Sequence, residues 1–208
     1  MLGAGGHATV VIDVLRQLNY DVIGLVSPKK CASNPAFKSL KVFTDDEDVL
    51  AFSKQEVLLA NGIGSLPGDI TRINVHEKFK VLGYKFLTFV APGAFVSPFA
   101  KLSEGVQVMP GSIVNTNAVI GFGTIINCGA IIEHDCLIGA HNHVAPGSTL
   151  SGDVCTGNFV HIGTGASVIQ GVRIDDHAVV GAGATVNRNL NTCERLLVAR
   201  PHLIKAGS

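Results

Sequence analysis

The sequence predicts a two-part chain, a small α/β region followed by a solenoid of short strands, and two observations carry that expectation. First, an aliphatic residue returns at every sixth position from Val90, Val96 and Leu102 through Ile174, Val180 and Val186, with Thr156 the one departure. A helix repeats near 3.6 and a flat strand at 2, so neither sustains a period of six; stacked coils with sharp corners do. Second, the grammar before Phe89 is different: a Gly-rich turn, apolar helical stretches and short β-branched runs alternate, as in a small parallel α/β sheet.

Taken in order, Gly3-Ala4-Gly5-Gly6-His7-Ala8 matches the G-x-G-x-x-A turn, whose backbone N–H groups face a phosphate at the start of a helix. The helix follows through Val10, Val11, Val14, Leu15 and Leu18. Strands are expected at Asp21–Val26 and Glu56–Ala60, and helices at Asp45–Phe52 and Asp69–Gly83. Only Met1 and Leu2 precede the turn, so either the chain is truncated or the sheet lacks its central strand. The acidic residue that a dinucleotide site places after its second strand is replaced by Ser27-Pro28, and the region is too short for two mononucleotide halves. A turn that merely starts a helix is the alternative reading.

From Phe89 the hexads run unbroken to about Val186. Three hexads close one triangular coil of eighteen residues. Leu190–Ser208 is a tail, within which Leu197–Ile204 reads as an extended cap over the open end. Small residues such as Ala118, Ala130 and Ala166 recur four positions after an aliphatic, and the 24 glycines suit a fold with a corner every few residues.

Composition narrows the function classes. The formal net charge is zero with no basic stripe, which argues against nucleic acid as a partner. Mean hydropathy is +0.38, yet no run approaches the ~18 apolar residues of a spanning helix, and no signal peptide is read. The five cysteines are odd in number and form no CxxC, which fits a reduced, cytoplasmic setting.

Residues eighteen apart share a corner in successive coils, about 4.8 Å apart. His134 therefore lies beneath Gly152, His143 beneath His161, and Thr164 beneath Ala182. Glu133-His134-Asp135 puts an outward imidazole between two carboxylates, an arrangement suited to a general base. An idle, solvated histidine is the alternative. Asn142, at an inward position, reads as part of a polar ladder in the core. Cys136 is also inward, and Cys155 has no acidic or His neighbour in the sequence, so both read as packing residues.

Together, GAGGHA with VVIDVL, NGIGS at Asn61–Ser65, IEHDCLIG at Ile132–Gly139, HVAPGSTLSG at His143–Gly152 and VGAGATV at Val180–Val186 resemble the hexapeptide-repeat acyltransferases. The resemblance is closest to the branch of PglD-like nucleotide-sugar 4-amino N-acetyltransferases and NeuD-like sialic acid O-acetyltransferases. It implies a Rossmann-like nucleotide-sugar-binding domain over residues 1–88 and a left-handed parallel β-helix with C-terminal cap over 89–208. It implies direct transfer from acetyl-CoA, with His134 as general base and Asp135 raising its basicity. Gly152 would offer a backbone donor to the thioester oxygen, His143 would lie near acetyl-CoA and acceptor, and Thr164 and Ala182 would hold the pantetheine arm. His143, read as the next imidazole along the same face, is the fallback base. Asn127, His7 and Gly62 would contact the nucleotide sugar. Homotrimers with active sites between solenoids, no metal, and a place in surface-glycan synthesis are further implications. A family acidic pair that contacts the base is replaced here by Ser27-Pro28, which leaves the nucleotide open. Sialic acid O-acetylation is the alternative activity; a metal-dependent hydratase with three converging imidazoles and a non-catalytic sugar-binding solenoid are the more distant ones.

Overall fold

The computed structural model describes residues 1–28 and 34–198. The first helix, α1 (Gly6–Gln17), buries Ala8, Val11, Ile12, Val14 and Leu15, the helical spacing read from the sequence. It stops where Asn19 turns left-handed, at φ 59°. The parallel pair β1 (Gly24–Val26) and β2 (Lys41–Phe43) forms the regular part of the small sheet. Leu2 occupies the central place: it bridges Val26 on one side and Asn61 on the other, both in parallel. Its N–H donates to Ala60 O at 2.9 Å and its carbonyl accepts from Gly62 N at 2.7 Å. A side chain on Gly62 would come within 2.8 Å of Ala8 Cβ and 3.0 Å of Leu2 O, so this crossing of loop, strand and helix requires glycine.

Several sequence expectations for this region are revised. Glu56–Ala60 forms no regular strand; Leu59 and Asn61 make single bridges to Phe86 and Leu2. Only the last half of Asp21–Val26 pairs. The Asp45–Phe52 segment is a 3-10 helix over Asp46–Ala51, capped by Asp45, whose carboxylate accepts from Glu47 N at 2.9 Å. The strand β2 is not legible in the sequence because it lies at the edge and is largely exposed, so nothing imposes hydrophobic alternation on it. The second helix, α2 (Thr71–Val81), falls inside the expected range.

The solenoid begins at Phe89–Val90 and stacks two-residue strands into three parallel sheets of seven, six and five strands. It is the left-handed β-helix that the resemblance implied. The register is eighteen, as in Ile132 opposite Leu150 and His143 opposite His161. The inward series packs one continuous core, with Val108, Ile120, Ile132, Val144, Leu150 and Ile162 completely or almost completely buried. Most corners place one residue in the left-handed region. Glycine fills many of these places, and Asn117, Asp135, His141 and Asp153, with φ between 55° and 61°, fill others.

Thr156 breaks the aliphatic series for a structural reason. Asn142, buried in the core, donates to Thr156 Oγ1 at 2.6 Å and Gly157 O at 2.9 Å, and accepts from Val160 N at 2.7 Å. Thr156 Oγ1 also accepts from Gly139 N at 3.1 Å. A hydroxyl at this position satisfies a buried amide that an aliphatic residue would leave unpaired.

After Val186 the chain does not leave the stack at once. Leu190 bridges Ile174, and Arg195–Leu196 pairs with Val179–Val180, so the final coil is sixteen residues long instead of eighteen. Leu197 and Val198 belong to no strand, and the rest of the expected cap, 199–204, lies outside the described residues. The N-terminal region docks on the seven-stranded sheet: Val11, Val14 and Leu15 of α1 share a core with Phe89, Met109 and Ile125. Among the described residues no helix is long and apolar enough to cross a membrane.

Candidate active site

His134 and Asp135 occupy the corner joining the six-stranded and five-stranded sheets. His134 Nδ1 lies 2.8 Å from Asp135 Oδ2. A carboxylate only accepts, so the proton sits on Nδ1 and Nε2 carries the lone pair. The left-handed backbone of Asp135 is one that aspartate tolerates. Its other oxygen accepts from Asn117 Nδ2 at 3.0 Å, one coil earlier. The hydrogen bond to Asp135 holds the His134 imidazole above its ordinary pKa, and the carboxylates of Glu133 and Asp153 act in the same direction. Asp135 is correspondingly lowered, chiefly by the same bond. Gly152 stands one coil further on, against the ring. A Cβ there would meet His134 Cε1 at 2.5 Å and Nε2 at 2.6 Å, so the missing side chain leaves the basic nitrogen room.

Gly152, Thr164 and Ala182 each hold the first place of a corner, where the coil's own ladder leaves the N–H unused. At other corners a side chain takes that proton: Asn115 for Thr116, Asn127 for Cys128, Asn158 for Ala140. Among the described residues nothing does so at Gly152, Thr164 or Ala182. These are free backbone donors of the kind that can hold a carbonyl oxygen or an amide-bearing chain.

The remaining sequence-predicted residues sit elsewhere on the prism. His143 lies on the seven-stranded sheet, half a coil from His134, not on the same face as expected. Nine residues are half of eighteen, so the two imidazoles point away from opposite sides of the solenoid. His143 Nδ1 is 2.9 Å from Ser65 O, and Nε2 is 2.9 Å from the amide of Asn127. Its ring packs edge to face on His161, with centroids 5.0 Å apart. Burial, and then the His161 ring, push its pKa down to about 3. His7, at the start of α1, is 2.8 Å from Gln107 Oε1, and Gln107 donates in turn to Asn61 O at 2.8 Å. Burial, with the Arg72 guanidinium nearby, lowers His7 to about 4. Gly62 and Gly64 pass beside this histidine's end of α1. One chain therefore assembles three groups: His134, Asp135 and Gly152 on one edge; Thr164 and Ala182 on the edge joining the seven-stranded and six-stranded sheets; and His7, Gly62, Asn127 and His143 on or beside the seven-stranded face, opposite the His134 edge. Among the described residues no cluster of metal-ligating side chains is present.

Sequence reasoning missed Arg72, Gln107, Ser65 and Asn117. Arg72 is buried and donates to Asn61 O, Ile63 O and Gly123 O, at 2.7 to 3.3 Å. Of these four, only Asn117 had a usable signal, its offset of eighteen from Asp135.

Two family models match the chain: the PglD N-terminal domain over residues 1–79 and the bacterial transferase hexapeptide (six repeats) over residues 117–152. No curated protein sequence matches. Among solved structures, PerB from Caulobacter crescentus in complex with CoA and GDP-perosamine is 35% identical, with 95% of this chain and 92% of that one covered and a TM-score of 0.84. A mutant of perosamine N-acetyltransferase from the same organism, also with CoA and GDP-perosamine, is 34% identical over 95% of this chain and 91% of that one, TM-score 0.84. The acetyltransferase domain of PglB from Neisseria gonorrhoeae FA1090 in complex with acetyl coenzyme A is 28% identical over 95% and 94% of the two chains, TM-score 0.85. With identity above 30% to PerB over nearly the whole of both chains, and with a family model matching within each half, this chain belongs to the PglD-like hexapeptide-repeat acetyltransferases.

Proposed function

We propose that this protein transfers the acetyl group of acetyl-CoA to the 4-amino group of a nucleotide-linked 4-amino-4,6-dideoxy sugar. The observation that carries the mechanism is the oriented imidazole: Nδ1 held by Asp135 and Nε2 open beside Gly152. His134 Nε2 takes a proton as the acceptor nitrogen attacks the thioester carbonyl. The Gly152 N–H supports the oxygen as negative charge develops on it. The C–S bond then breaks, the amide is complete, and the proton on His134 passes to the departing thiolate. Thr164 and Ala182 hold the pantetheine arm by their free N–H groups. His7, Gly62 and Asn127 hold the nucleotide sugar.

The active site is composite, formed in a homotrimer. The separation of the three residue groups supports this. The nucleotide-sugar residues lie on the face opposite the His134 corner, so an acceptor bound there meets a His134 supplied by a neighbouring protomer. The nucleotide is guanosine diphosphate, which the GDP-perosamine bound to relatives at 34% and 35% identity supports; Ser27-Pro28, in place of the acidic pair that the resemblance sets against the base, leaves this open on the sequence alone.

A thiol-release assay with acetyl-CoA tests this reading against GDP-, UDP- and dTDP-linked 4-amino sugars, with free and CMP-linked sialic acid as hydroxyl acceptors. Turnover highest with a GDP-linked amino sugar is expected. Turnover with sialic acid alone would replace N-acetylation by O-acetylation, and none with any acceptor would remove the reading.

A further inference from the structure

We propose that His143 is an uncharged positioning residue, its proton fixed on Nδ1, that pins the far end of the 61–65 loop to the solenoid and takes no part in proton transfer. The tautomer follows from a chain of hydrogen bonds in which each partner has one possible role. Cys128 N donates to Asn127 Oδ1 at 2.8 Å, which fixes the orientation of the Asn127 amide. The group 2.9 Å from His143 Nε2 is therefore the amide nitrogen, a donor. Nε2 must accept, and so carries no proton. On the other side of the ring, Nδ1 faces the Ser65 carbonyl at 2.9 Å, which can only accept. Nδ1 must donate. Both nitrogens are engaged in this one arrangement, and a second proton on Nε2 would be set against an N–H. Burial and the neighbouring His161, His7 and Arg72 reinforce the neutral form.

The consequence lies in the loop. Asn61–Ser65 passes Leu2 and His7 and forms one wall of the region assigned above to the nucleotide sugar. Its near end is clamped by Arg72 and Gln107, which both donate to Asn61 O, and Arg72 reaches on to Ile63 O. Past Gly64, the bond from His143 to Ser65 O ties the loop to the solenoid. The same imidazole accepts from Asn127, so loop and solenoid side chain are held in one register. Its kinetic effect rests on the acetyl-transfer reading; its protonation state does not.

The test uses the full-length protein labelled with 15N-histidine. The His143 resonance is expected to show a neutral ring protonated on Nδ1 and to stay unchanged from about pH 5.5 to 8.5, the range in which an ordinary imidazole titrates. His143→Phe keeps a ring but loses both hydrogen bonds. It is expected to raise the acceptor KM about tenfold, equivalent to ~1.4 kcal/mol, with a smaller change in kcat. His143→Gln supplies one donor and one acceptor without charge, and is expected to recover part of that loss. Titration of His143 in this range, a proton on Nε2, or a fall in kcat with unchanged acceptor KM would each overturn the proposal. If no acceptor is turned over, hydrogen exchange at residues 61–65 decides instead: faster exchange in His143→Phe supports the pin, and equal exchange removes it.

Discussion

The imidazole of His134 lies against the Cα of Gly152, one coil away, so closely that a methyl group on Gly152 would stand 2.5 Å from Cε1 and 2.6 Å from Nε2. The proposed base and its proposed backbone partner are thus placed by the stacking of the solenoid, and the glycine is what allows both to coexist. In Gly152→Ala the fold is expected to persist, because the clash is with the end of an exposed side chain that can swing away. The swing removes Nε2 from its place. Acetyl transfer is expected to fall by about two orders of magnitude or more, toward the loss of two to four orders expected for His134→Ala. Steady-state thiol release, with acetyl-CoA binding measured in parallel, checks both variants. Near wild-type turnover in His134→Ala would end the base assignment.

Asp135 fixes the ring of His134 and raises its pKa. A base works in its deprotonated form, so activity should climb with pH through a limb set by His134. Removing the negative charge in Asp135→Asn lowers that pKa. The limb is expected to move to lower pH while the plateau rate drops, because the ring loses both orientation and basicity. The pH dependence of kcat/KM reads both changes. A limb that stays in place would mean that another group titrates.

How much of this was legible in advance differs between the two halves, for a physical reason. Stacking forces every coil to repeat, so the six-residue aliphatic series reports the solenoid directly and the offset of eighteen brings His134 to Gly152. The same arithmetic, carried through to nine, would have put His143 on the far side. In the other half the sequence pointed to the helix α2 but not to its inward face: α2 buries Arg72, His76 and Phe79, and so polar a face leaves no hydrophobic stripe to read. The central strand is reduced to Leu2, held by four neighbouring backbone hydrogen bonds instead of a β-branched run.

Three buried imidazoles predict acid sensitivity. Burial lowers His7 to about 4, His143 to about 3 and His76 to about 2. Each folded-state value lies below the ~6.5 of an unfolded histidine. Above that pH both states are neutral and nothing is lost. As pH falls below ~6.5 the unfolded chain takes up protons that the folded chain refuses, so stability drops progressively toward pH 4. Thermal melting is expected to move to lower temperature over this window. All three residues lie at contacts between the N-terminal region and the solenoid, so probes there should respond first. A melting temperature that is flat from pH 7 to 5 would contradict the burial of these rings.

Thr156→Val would complete the aliphatic series, and is expected to destabilise the protein. The substitution strips one acceptor from Asn142 and from Gly139 N while keeping the shape of the side chain. Leaving buried donors unpaired costs about 1–3 kcal/mol. Denaturant unfolding should show the loss, and Thr156→Ser, which retains the hydroxyl, should show less of it. Equal stability of the valine variant would mean that the polar ladder contributes nothing.

The proposed composite site makes a prediction that no single-chain site shares. His134 stands on the corner opposite the face that carries His7, Gln107 and His143, so one mutation can disable the base and another the acceptor site on different protomers. His134→Ala lacks the base. His7→Ala, assayed below its acceptor KM, lacks acceptor binding because the loss of the bond to Gln107 loosens the start of α1. Mixed and reassembled in equal amounts, random trimers should place an intact base beside an intact acceptor face at about a quarter of the interfaces. Activity should therefore rise from near zero in each parent toward about a quarter of that of the unmodified protein. Co-expression with two affinity tags yields the mixed species, and thiol release at low acceptor concentration measures it. If the mixture is no more active than its parents while mixed oligomers are present, each site belongs to one chain. A single protomer would then have to carry acceptor and acetyl donor around the prism, which the half-coil separation of His134 from His143 opposes.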